Sequence, residues 1–366
     1  MMKTVWDKRP GENNPRNSEG DFIRLDDGRI LYAYSQYSGK SHLDRCPCNI
    51  AAITSSDEGE SWSEPRIIAH AADYGVENIM SVSVLRQSDG AIGVYYLCKE
   101  NSGNTSLARA ISYDGEDFTT ERCELKACRQ YFVINNQRIH RLSNGDIVAP
   151  AAAHPKDGSE YERYSVCMCF VSKDDGKTFT PTAPRLTLPK LNKWDRGFQE
   201  PGIFEHADGV IRFWARTRAG YQYEAYSRDG METFTYPQPF VSSPTSPLQM
   251  KKDPHTGAVY IIYNPLPEKH LGNYDINTNV IDKQLIDYDP YTWGRTPLVI
   301  RKSTDDGRSW GPYTVVGDDK DLGYCYPAAF FTEDGCMLLA YCCSGKAEGT
   351  PLAGLRMTKI ALDEIK

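Results

Sequence analysis

Polar side chains that can transfer protons or bind anions recur at six places along the chain. Each place precedes an apolar run, and the six are Arg16–Glu19, Asn78–Ser81, Asn135–Arg138, Gln199–Pro201, Ser243–Ser246 and Tyr324–Tyr326. Further polar residues end the following apolar runs or lie in the loops beyond them, namely Tyr34, His42, Asp44, Lys99, His154, Arg216, Asn264 and Arg295. Carboxyl, imidazole and phenol groups act as acids and bases, and guanidinium groups bind carboxylates through paired hydrogen bonds. A solvated rim would explain any one of these residues, but the whole set predicts a site if the fold brings the clusters together.

The elements that would position these residues are marked by a repeated motif, Ser-x-Asp-x-Gly-x-x-aromatic. Three complete copies are Ser55–Trp62, Ser172–Phe179 and Ser303–Trp310, and two frayed copies are Ser112–Phe118 and Ser227–Phe234. In such a turn the Ser and Asp side chains form hydrogen bonds with nearby backbone groups. Gly supplies a positive φ, and the aromatic residue packs back on the strands of its own unit. Five copies of one turn predict a repeat architecture.

A second repeat is a tight turn between two apolar strands, as expected for β-hairpins. Its copies are Asp27-Gly28, Asp89-Gly90, Asn144-Gly145, Asp208-Gly209, Thr256-Gly257 and Asp334-Gly335. In each repeat unit, a tight turn joins strands 1 and 2, a loop joins strands 2 and 3, and the motif joins strands 3 and 4. Four strands connected in this order form a propeller blade. The sequence predicts an all-β, six-bladed β-propeller formed by residues 1–366 as a single domain. Met357–Leu362 is expected to be strand 3 of the last blade, and Lys3–Trp6 its missing fourth strand.

This topology also predicts where a site would lie. Both kinds of turn fall on one face, so the polar clusters at the starts of strands 1 meet on the other face. The longest loop on that face is Pro265–Gly294. Loops of this length in a compact domain are usually functional or disordered.

Composition narrows the class of protein. The 366 residues include 11 % aromatic residues, 29 Gly and 22 Pro, which favours a turn-rich all-β fold. A net charge of −7 argues against nucleic acid as a partner, and no apolar run is long enough to span a membrane. Met1–Pro10 has no apolar segment typical of a signal peptide, and the 11 cysteines lack metal-ligand spacing. We therefore expect reduced thiols and a cytoplasmic location.

The repeated motif is the Asp box, and with it the chain resembles the sialidase-like β-propellers with BNR repeats. The motif has a structural role and does not indicate which reaction, if any, a protein catalyses. Three segments sharpen the likeness to exo-sialidases: Gln199–Arg216, which spans an Asp-Gly turn; Arg295–Ser303, which leads into a box; and Tyr326–Phe331, which precedes Asp334-Gly335.

The resemblance implies roles for residues at the matching positions. Tyr326 would be the nucleophile and Glu200 the group that takes its proton, with Asp44 as the acid/base residue. Arg216 and Arg295 would bind the substrate carboxylate. A neutral phenol avoids the repulsion that a carboxylate nucleophile would meet, and sialidases depart from the two-carboxylate scheme in this way.

Blade 1 departs from the family pattern, because the chain has no Arg-Ile-Pro element there. Arg16 is assigned as the first of three arginines, although it lies two residues further from the Asp-Gly turn than the family spacing, and Arg138 is the other candidate. Tyr324 is the reserve nucleophile. Further substrate contacts are expected from Glu19, His42, Asn136, Arg138, His154 and Tyr324.

The function implied is release of a terminal sialic acid or related acidic sugar by a retaining mechanism, with no metal or organic cofactor. One alternative is a propeller glycosidase or polysaccharide lyase that acts on another acidic sugar and uses His42 or His154. Another is a non-catalytic glycan-binding propeller, which would need no Glu200–Tyr326 pair. The expected partner is therefore a glycan or small acidic sugar, while the exact sugar, the linkage and the oligomeric state are not readable from the sequence.

Overall fold

The apolar runs between the turn motifs form strands that pair antiparallel in chain order. The computed structural model describes residues 2–126, 130–157, 160–161, 163–190, 195–266, 274–275, 280–281 and 291–366. Most of the predicted loop at 265–294 therefore lies outside the described residues. Two short 3-10 helices, Ala71–Tyr74 and Leu362–Glu364, accompany the strands, and no helix in the described ranges is long and apolar enough to cross a membrane.

Strand β1 (Lys3–Lys8) precedes the first blade. Blade 1 consists of β2 (Asn17–Arg24), β3 (Ile30–Tyr37), β4 (Cys48–Ser55) and β5 (Arg66–Ala69). Blade 2 consists of β6 (Ile79–Arg86), β7 (Ile92–Asn101), β8 (Asn104–Ser112) and β9 (Thr119–Leu125). Blade 3 consists of a divided inner strand and three further strands, namely β10 (Tyr131–Val133), β11 (His140–Arg141), β12 (Ile147–His154), β15 (Val166–Ser172) and β16 (Thr178–Pro181). A small hairpin, β13 (Lys156–Asp157) with β14 (Glu160–Tyr161), extends its loop.

Blade 4 consists of β17 (Gln199–Glu205), β18 (Ile211–Arg216), β19 (Tyr221–Ser227) and β20 (Gln238–Ser242). Blade 5 consists of β21 (Gln249–Lys252), β22 (Val259–Tyr263), β25 (Leu298–Ser303) and β26 (Tyr313–Gly317), with a loop hairpin of β23 (Tyr274–Asp275) and β24 (Val280–Ile281). Blade 6 consists of β27 (Leu322–Phe331), β28 (Cys336–Gly345) and β29 (Leu355–Ala361).

The fourth strand of blade 6 is β1, as the sequence predicts. It pairs antiparallel with β29, from Lys3 opposite Lys359 to Lys8 opposite Leu355. The last blade is thus completed by the beginning of the chain.

The core lies between the blades. In the described residues, six apolar clusters each combine strands of two neighbouring blades, including blade 6 with blade 1. The inner strands also contact one another around the ring, and β27 of blade 6 returns to β2 of blade 1. This closed ring confirms the predicted all-β propeller, fits the expected six blades, and explains why the strands are apolar on both faces.

The Asp boxes share one pattern of hydrogen bonds. Ser55 Oγ donates to Asp57 Oδ1 at 2.7 Å, the N–H of Gly59 donates to Ser55 Oγ at 2.9 Å, and the N–H of Ser61 donates to Asp57 Oδ1 at 2.9 Å. The side chains thus replace a backbone ladder in the turn. The frayed boxes keep the first bond, as Ser227 Oγ donates to an aspartate at 2.8 Å.

The fourth residue of each complete box joins two blades. Glu58, Asp175 and Asp306 all have positive φ, between 56° and 61°. Their carboxylates accept backbone N–H groups from the hairpin turn of the preceding blade in the ring: Glu333 to Glu58 at 3.0 Å, Ser88 to Asp175 at 3.0 Å and Ala207 to Asp306 at 2.7 Å. We call these contacts the blade clamps.

Strand register separates the two faces of the propeller. In blade 4, Gln199 pairs with Arg216 at one end, while Ile211 pairs with both Glu205 and Ser227, the first box residue, at the other. Blade 1 has the same order, since Ile30 pairs with Ser55 at the end away from the polar cluster. The boxes therefore lie on the face opposite the polar clusters, as predicted.

Candidate active site

Five blades carry a distortion of the innermost strand at the same position. One non-glycine residue in each has φ between 48° and 67°: Glu19, Ser81, Gln137, Glu200 and Tyr326. In four of these blades the strand pairing shifts across the residue, which marks a β-bulge. Such left-handed backbone is costly for residues other than glycine and is concentrated at functional sites.

The bulges lie at the bottom of a cavity of about 570 Å³ on the face opposite the boxes. The predicted site residues that line it are Glu19, Asp44, His154, Glu200, Arg216, Arg295 and Tyr326. They come from blades 1, 3, 4, 5 and 6, so the ring brings together residues that are far apart in sequence.

Tyr326 and Glu200 are in direct contact across the cavity. The Tyr326 hydroxyl donates to Glu200 Oε1 at 3.0 Å. Arg216 holds the same carboxylate, with 2.8 Å between Nη1 and Glu200 Oε2, and its Nη2 donates to Gln199 Oε1 at 3.0 Å. Burial and the charge of Glu200 raise the pKa of Tyr326 well above its usual range, and Arg295 and Arg216 oppose that shift. The phenol is therefore protonated and hydrogen-bonded to a base.

Arg295 is a nearly buried cation with unused donors. Among the described residues, its Nη2 donates to the carbonyl of Thr245 at 3.1 Å, and its guanidinium lies 5.5 Å from the Tyr326 ring centroid. The residue is 3 % exposed, and its Nε and Nη1 have no hydrogen-bond partner among the described residues. A buried donor without a partner is costly, so an anion in the cavity would stabilise this arrangement.

Arg16 differs from Arg295, because two carboxylates already surround it. Its Nη1 lies 2.5 Å from Asp44 Oδ1 and its Nη2 lies 2.8 Å from Glu19 Oε2. Nε donates to Ser18 Oγ at 2.9 Å, and the guanidinium lies 4.5 Å from the Tyr37 ring centroid. Arg16 thus lies behind Glu19 and Asp44, which themselves line the cavity.

These contacts determine the charge of the two acids. Partial desolvation raises the pKa of Asp44, but the charges of Arg16 and Lys99 outweigh it and hold that pKa well below its usual range. Burial raises the pKa of Glu19 despite the opposing charge of Arg16. Asp44 is therefore ionised in the ligand-free protein, although its side chain remains 59 % exposed.

Two predicted substrate contacts, Arg138 and Asn136, are corrected. Arg138 Nη2 donates to the carbonyl of Leu248 at 2.5 Å and Nη1 bonds the side chain of Gln249, away from the cavity. Asn136 Nδ2 donates to the carbonyl of Gly20 at 3.1 Å. Both side chains join inner strands of different blades, so they support the floor of the cavity and do not line it.

Tyr324 and His42 are corrected as well. The Tyr324 ring packs in the core between blades 5 and 6, and its hydroxyl accepts the N–H of Asp319 at 3.3 Å. The bulge two residues later turns Tyr326 alone toward the axis. His42 contributes its carbonyl, which accepts from Arg16 Nη1 at 3.2 Å, and its imidazole is not among the described groups that line the cavity.

The sequence analysis assigned no role to several groups that line the cavity. They are Asn135, Arg163, Arg196 and Arg218, together with Trp293 beside Arg295. The three arginines lie in loops, where no strand pattern indicates their direction. The available signal was the number of arginines in the loops near the strand ends of blades 3 and 4, which would have indicated cations at the cavity.

The described residues contain no group of three or more His, Cys, Asp or Glu side chains placed to hold a metal ion. Their cysteines are free thiols. The described residues that line the cavity offer two phenols, three carboxylates, an imidazole and several cations.

Solved structures similar to this chain include sialidases. The Hadza microbial sialidase Hz136 has a TM-score of 0.74 at 15 % identity, with 100 % of this chain and 69 % of that chain covered. The intramolecular trans-sialidase from Ruminococcus gnavus has a TM-score of 0.68 at 13 % identity, with 99 % and 98 % covered. A protein of unknown function from Dyadobacter fermentans has a TM-score of 0.69 at 17 % identity, with 98 % and 99 % covered. At these identities the likeness establishes the fold alone.

Sequence comparisons give the family. No curated protein matches the chain. The family model described as BNR repeat-like domain matches residues 48–339, which is more than half of the chain. The Asp boxes within that range carry the repeat, and the chain therefore belongs to the family of proteins with a BNR repeat-like domain.

Proposed function

We propose that the protein is a glycoside hydrolase that releases a terminal sialic acid or a related acidic sugar. The observation that carries the proposal is the contact of Tyr326 with Glu200 at 3.0 Å, flanked by Arg216 and Arg295 in one cavity. A structural tyrosine needs no buried base and no cations beside it. A nucleophilic phenol needs both, because it must lose its proton while it attacks the anomeric carbon of an anionic sugar.

The cations supply the binding energy and the orientation. The sugar carboxylate would accept hydrogen bonds from Arg295, whose Nε and Nη1 have no partner among the described residues, and from Arg216. Planar guanidinium groups hold a carboxylate with fixed geometry, which a lysine cannot do. With the carboxylate fixed, the anomeric carbon lies close to the Tyr326 hydroxyl. Attack by Oη forms the Tyr–sugar bond, the proton passes to Glu200, and the leaving glycan departs.

Asp44 is the proposed acid for the leaving oxygen. In the ligand-free protein it is ionised and paired with Arg16. The substrate carboxylate, bound by Arg216 in the same cavity, would offset one of the positive charges that keep the pKa of Asp44 low, and the raised pKa would allow Asp44 to carry a proton. It would then activate the water that hydrolyses the sugar–Tyr326 intermediate, an aryl glycoside, as a residue that donated a proton can take one back.

A second candidate function rests on His154. This imidazole lines the same cavity, which leaves open an enzyme that acts on another acidic sugar, such as a uronide, with His154 as acid or base. A non-catalytic glycan-binding propeller would use the arginines but not the Tyr326–Glu200 contact.

A panel of fluorogenic glycosides that includes α-sialosides and uronides distinguishes these functions. We expect cleavage of the α-sialoside, and at least about a hundredfold less in an Arg216→Lys variant that keeps its unfolding temperature. Cleavage of uronides alone would support the second candidate. Hydrolysis of no glycoside, together with binding of sialic acid, would reject an enzyme in favour of a binding protein.

A further inference from the structure

A second group of arginines lies in the same cavity. Arg163, Arg196 and Arg218 line it but have no part in the proposed bond cleavage. All three line one cavity, and burial, followed by the charges of Arg218 and Arg163, lowers the pKa of Arg196 against the opposing charge of Asp195. Like charges repel, so a group of this kind is stabilised when an anion binds between its members.

The backbone holds these arginines in place. The carbonyl of Arg196 accepts the N–H of Ser165 at 2.9 Å, so the loop before blade 4 is attached to blade 3 two residues beyond Arg163. Gly197 permits this approach, because it has a φ of 62° and a Cβ there would lie 2.2 Å from the Ser165 carbonyl oxygen. Next to Arg218, the buried Thr217 closes a tight turn by donating to the carbonyl of Tyr221 at 2.5 Å.

The charge of the cavity lining also indicates an anionic ligand. Among the described residues, six cationic side chains line the cavity, and these are Lys99, Arg163, Arg196, Arg216, Arg218 and Arg295. Three carboxylates line it, namely Glu19, Asp44 and Glu200, and each is paired with Arg16 or Arg216. The lining is thus cationic in a chain whose net charge is −7. One sugar carboxylate does not balance the excess of cationic over anionic side chains in the lining.

We propose that Arg163, Arg196 and Arg218 form a second anion subsite, so that the preferred substrate carries a second acidic group. The inference rests on the proposed function for the first carboxylate, which Arg216 and Arg295 bind. The second group is an oxyanion, that is, a carboxylate, phosphate or sulfate. It belongs either to the same sugar or to the next sugar of the glycan.

Calorimetric binding at one fixed ionic strength tests this subsite and distinguishes the two sources. The probes are N-acetylneuraminic acid, its 9-phosphate and its α2,8-linked dimer. At least one of the two dianionic probes should bind the wild-type protein tenfold or more tightly than the monoacid. This gain should vanish in an Arg196→Gln/Arg218→Gln variant, whose affinity for the monoacid should be unchanged. A gain for the 9-phosphate assigns the second anion to the same sugar, and a gain for the dimer assigns it to the next sugar.

The control variant is Arg228→Gln, which removes one positive charge from an exposed residue in the box of blade 4. It should keep the gain. Equal affinity of the wild-type protein for all three probes, or an equal loss for all three in the double variant, would overturn the subsite.

Inorganic phosphate separates this inference from the proposed function. It should bind an Arg216→Gln variant, in which the first site is disabled, at least tenfold more tightly than it binds the Arg196→Gln/Arg218→Gln variant. If the monoacid does not bind but phosphate behaves in this way, the proposed function fails and the second subsite stands. Equal phosphate affinity of the two variants rejects the subsite, whatever the sugars do.

Discussion

At the scale of single residues, the chemistry depends on one oxygen atom, the Tyr326 hydroxyl. Tyr326→Phe removes this atom and leaves the ring beside Arg295. We expect substrate affinity to stay near the wild-type value and kcat to fall about 10³-fold, the order of effect seen when a proton-transfer or attacking group is lost. Steady-state and pre-steady-state kinetics on the α-sialoside measure both quantities.

The matched control for this substitution is Tyr324→Phe, two residues away. Its hydroxyl accepts the N–H of Asp319 outside the cavity, so its loss should change kcat less than about threefold. Similar losses in the two variants would contradict the assignment of Tyr326 as nucleophile.

The Arg16–Asp44 ion pair predicts a proton linkage. Asp44 is ionised in the free protein because Arg16 and Lys99 hold its pKa low. If a bound carboxylate offsets the charge of Arg216, the pKa of Asp44 rises and the protein takes up protons on binding at acidic pH, since a group whose pKa rises on binding gains a proton between the two pKa values. Titration calorimetry in buffers of different ionisation enthalpy measures this uptake. Asp44→Asn should abolish the uptake, and an unchanged uptake in that variant would assign it to another group.

At the scale of elements, the blade clamps predict where stability is concentrated. Asp175 accepts the N–H and the hydroxyl of Ser88 at 3.0 and 2.8 Å and pairs with Arg141. Asp175→Asn keeps the size of the side chain and its tolerance of positive φ, but removes the charge. We expect the free energy of unfolding to fall by about 1–2 kcal/mol, as for charge-assisted hydrogen bonds at a partly exposed position.

Chemical denaturation measures this change, with the neighbouring Lys173→Ala as control. Lys173 is exposed, and its replacement should shift stability by less than about 0.5 kcal/mol. A stability of Asp175→Asn that equals the control would show that the clamp contributes nothing.

The elements were largely predictable from sequence, and the directions of the site side chains were not. The boxes and Asp-Gly turns are encoded by local chemistry of Ser, Asp and Gly, so they identified the blades and the strand supplied by Lys3–Lys8. The bulges depend on packing of inner strands from several blades around the axis, and no local signal marks them. For this reason Tyr324 stayed a reserve nucleophile beside Tyr326, and Asn136 was chosen where the neighbouring Asn135 lines the cavity.

At the scale of the whole molecule, the ring depends on the contact between β1 and blade 1. Trp6 in β1 lies 5.5 Å from the ring centroid of Tyr34 and 6.5 Å from that of Tyr32. Because Trp6 is half-buried, Trp6→Ala should lower the free energy of unfolding by about 2 kcal/mol, less than for a fully buried aromatic side chain. Calorimetry on Tyr236→Ala, which removes an aromatic ring that is 84 % exposed, provides the comparison. Equal stabilities of the two variants would mean that the closure adds little.

The pairing of β1 with β29 also has a mechanical consequence. The two strands are antiparallel, and Lys3 faces Lys359 close to the end of β29. A force that pulls residue 3 away from residue 361 therefore acts at one end of the pair and opens its hydrogen bonds one after another, as a zipper opens. Pulling in shear would load all of these bonds together. A force applied between these two strand ends would thus open the last blade more easily than a force applied in shear, and the ring would open with it.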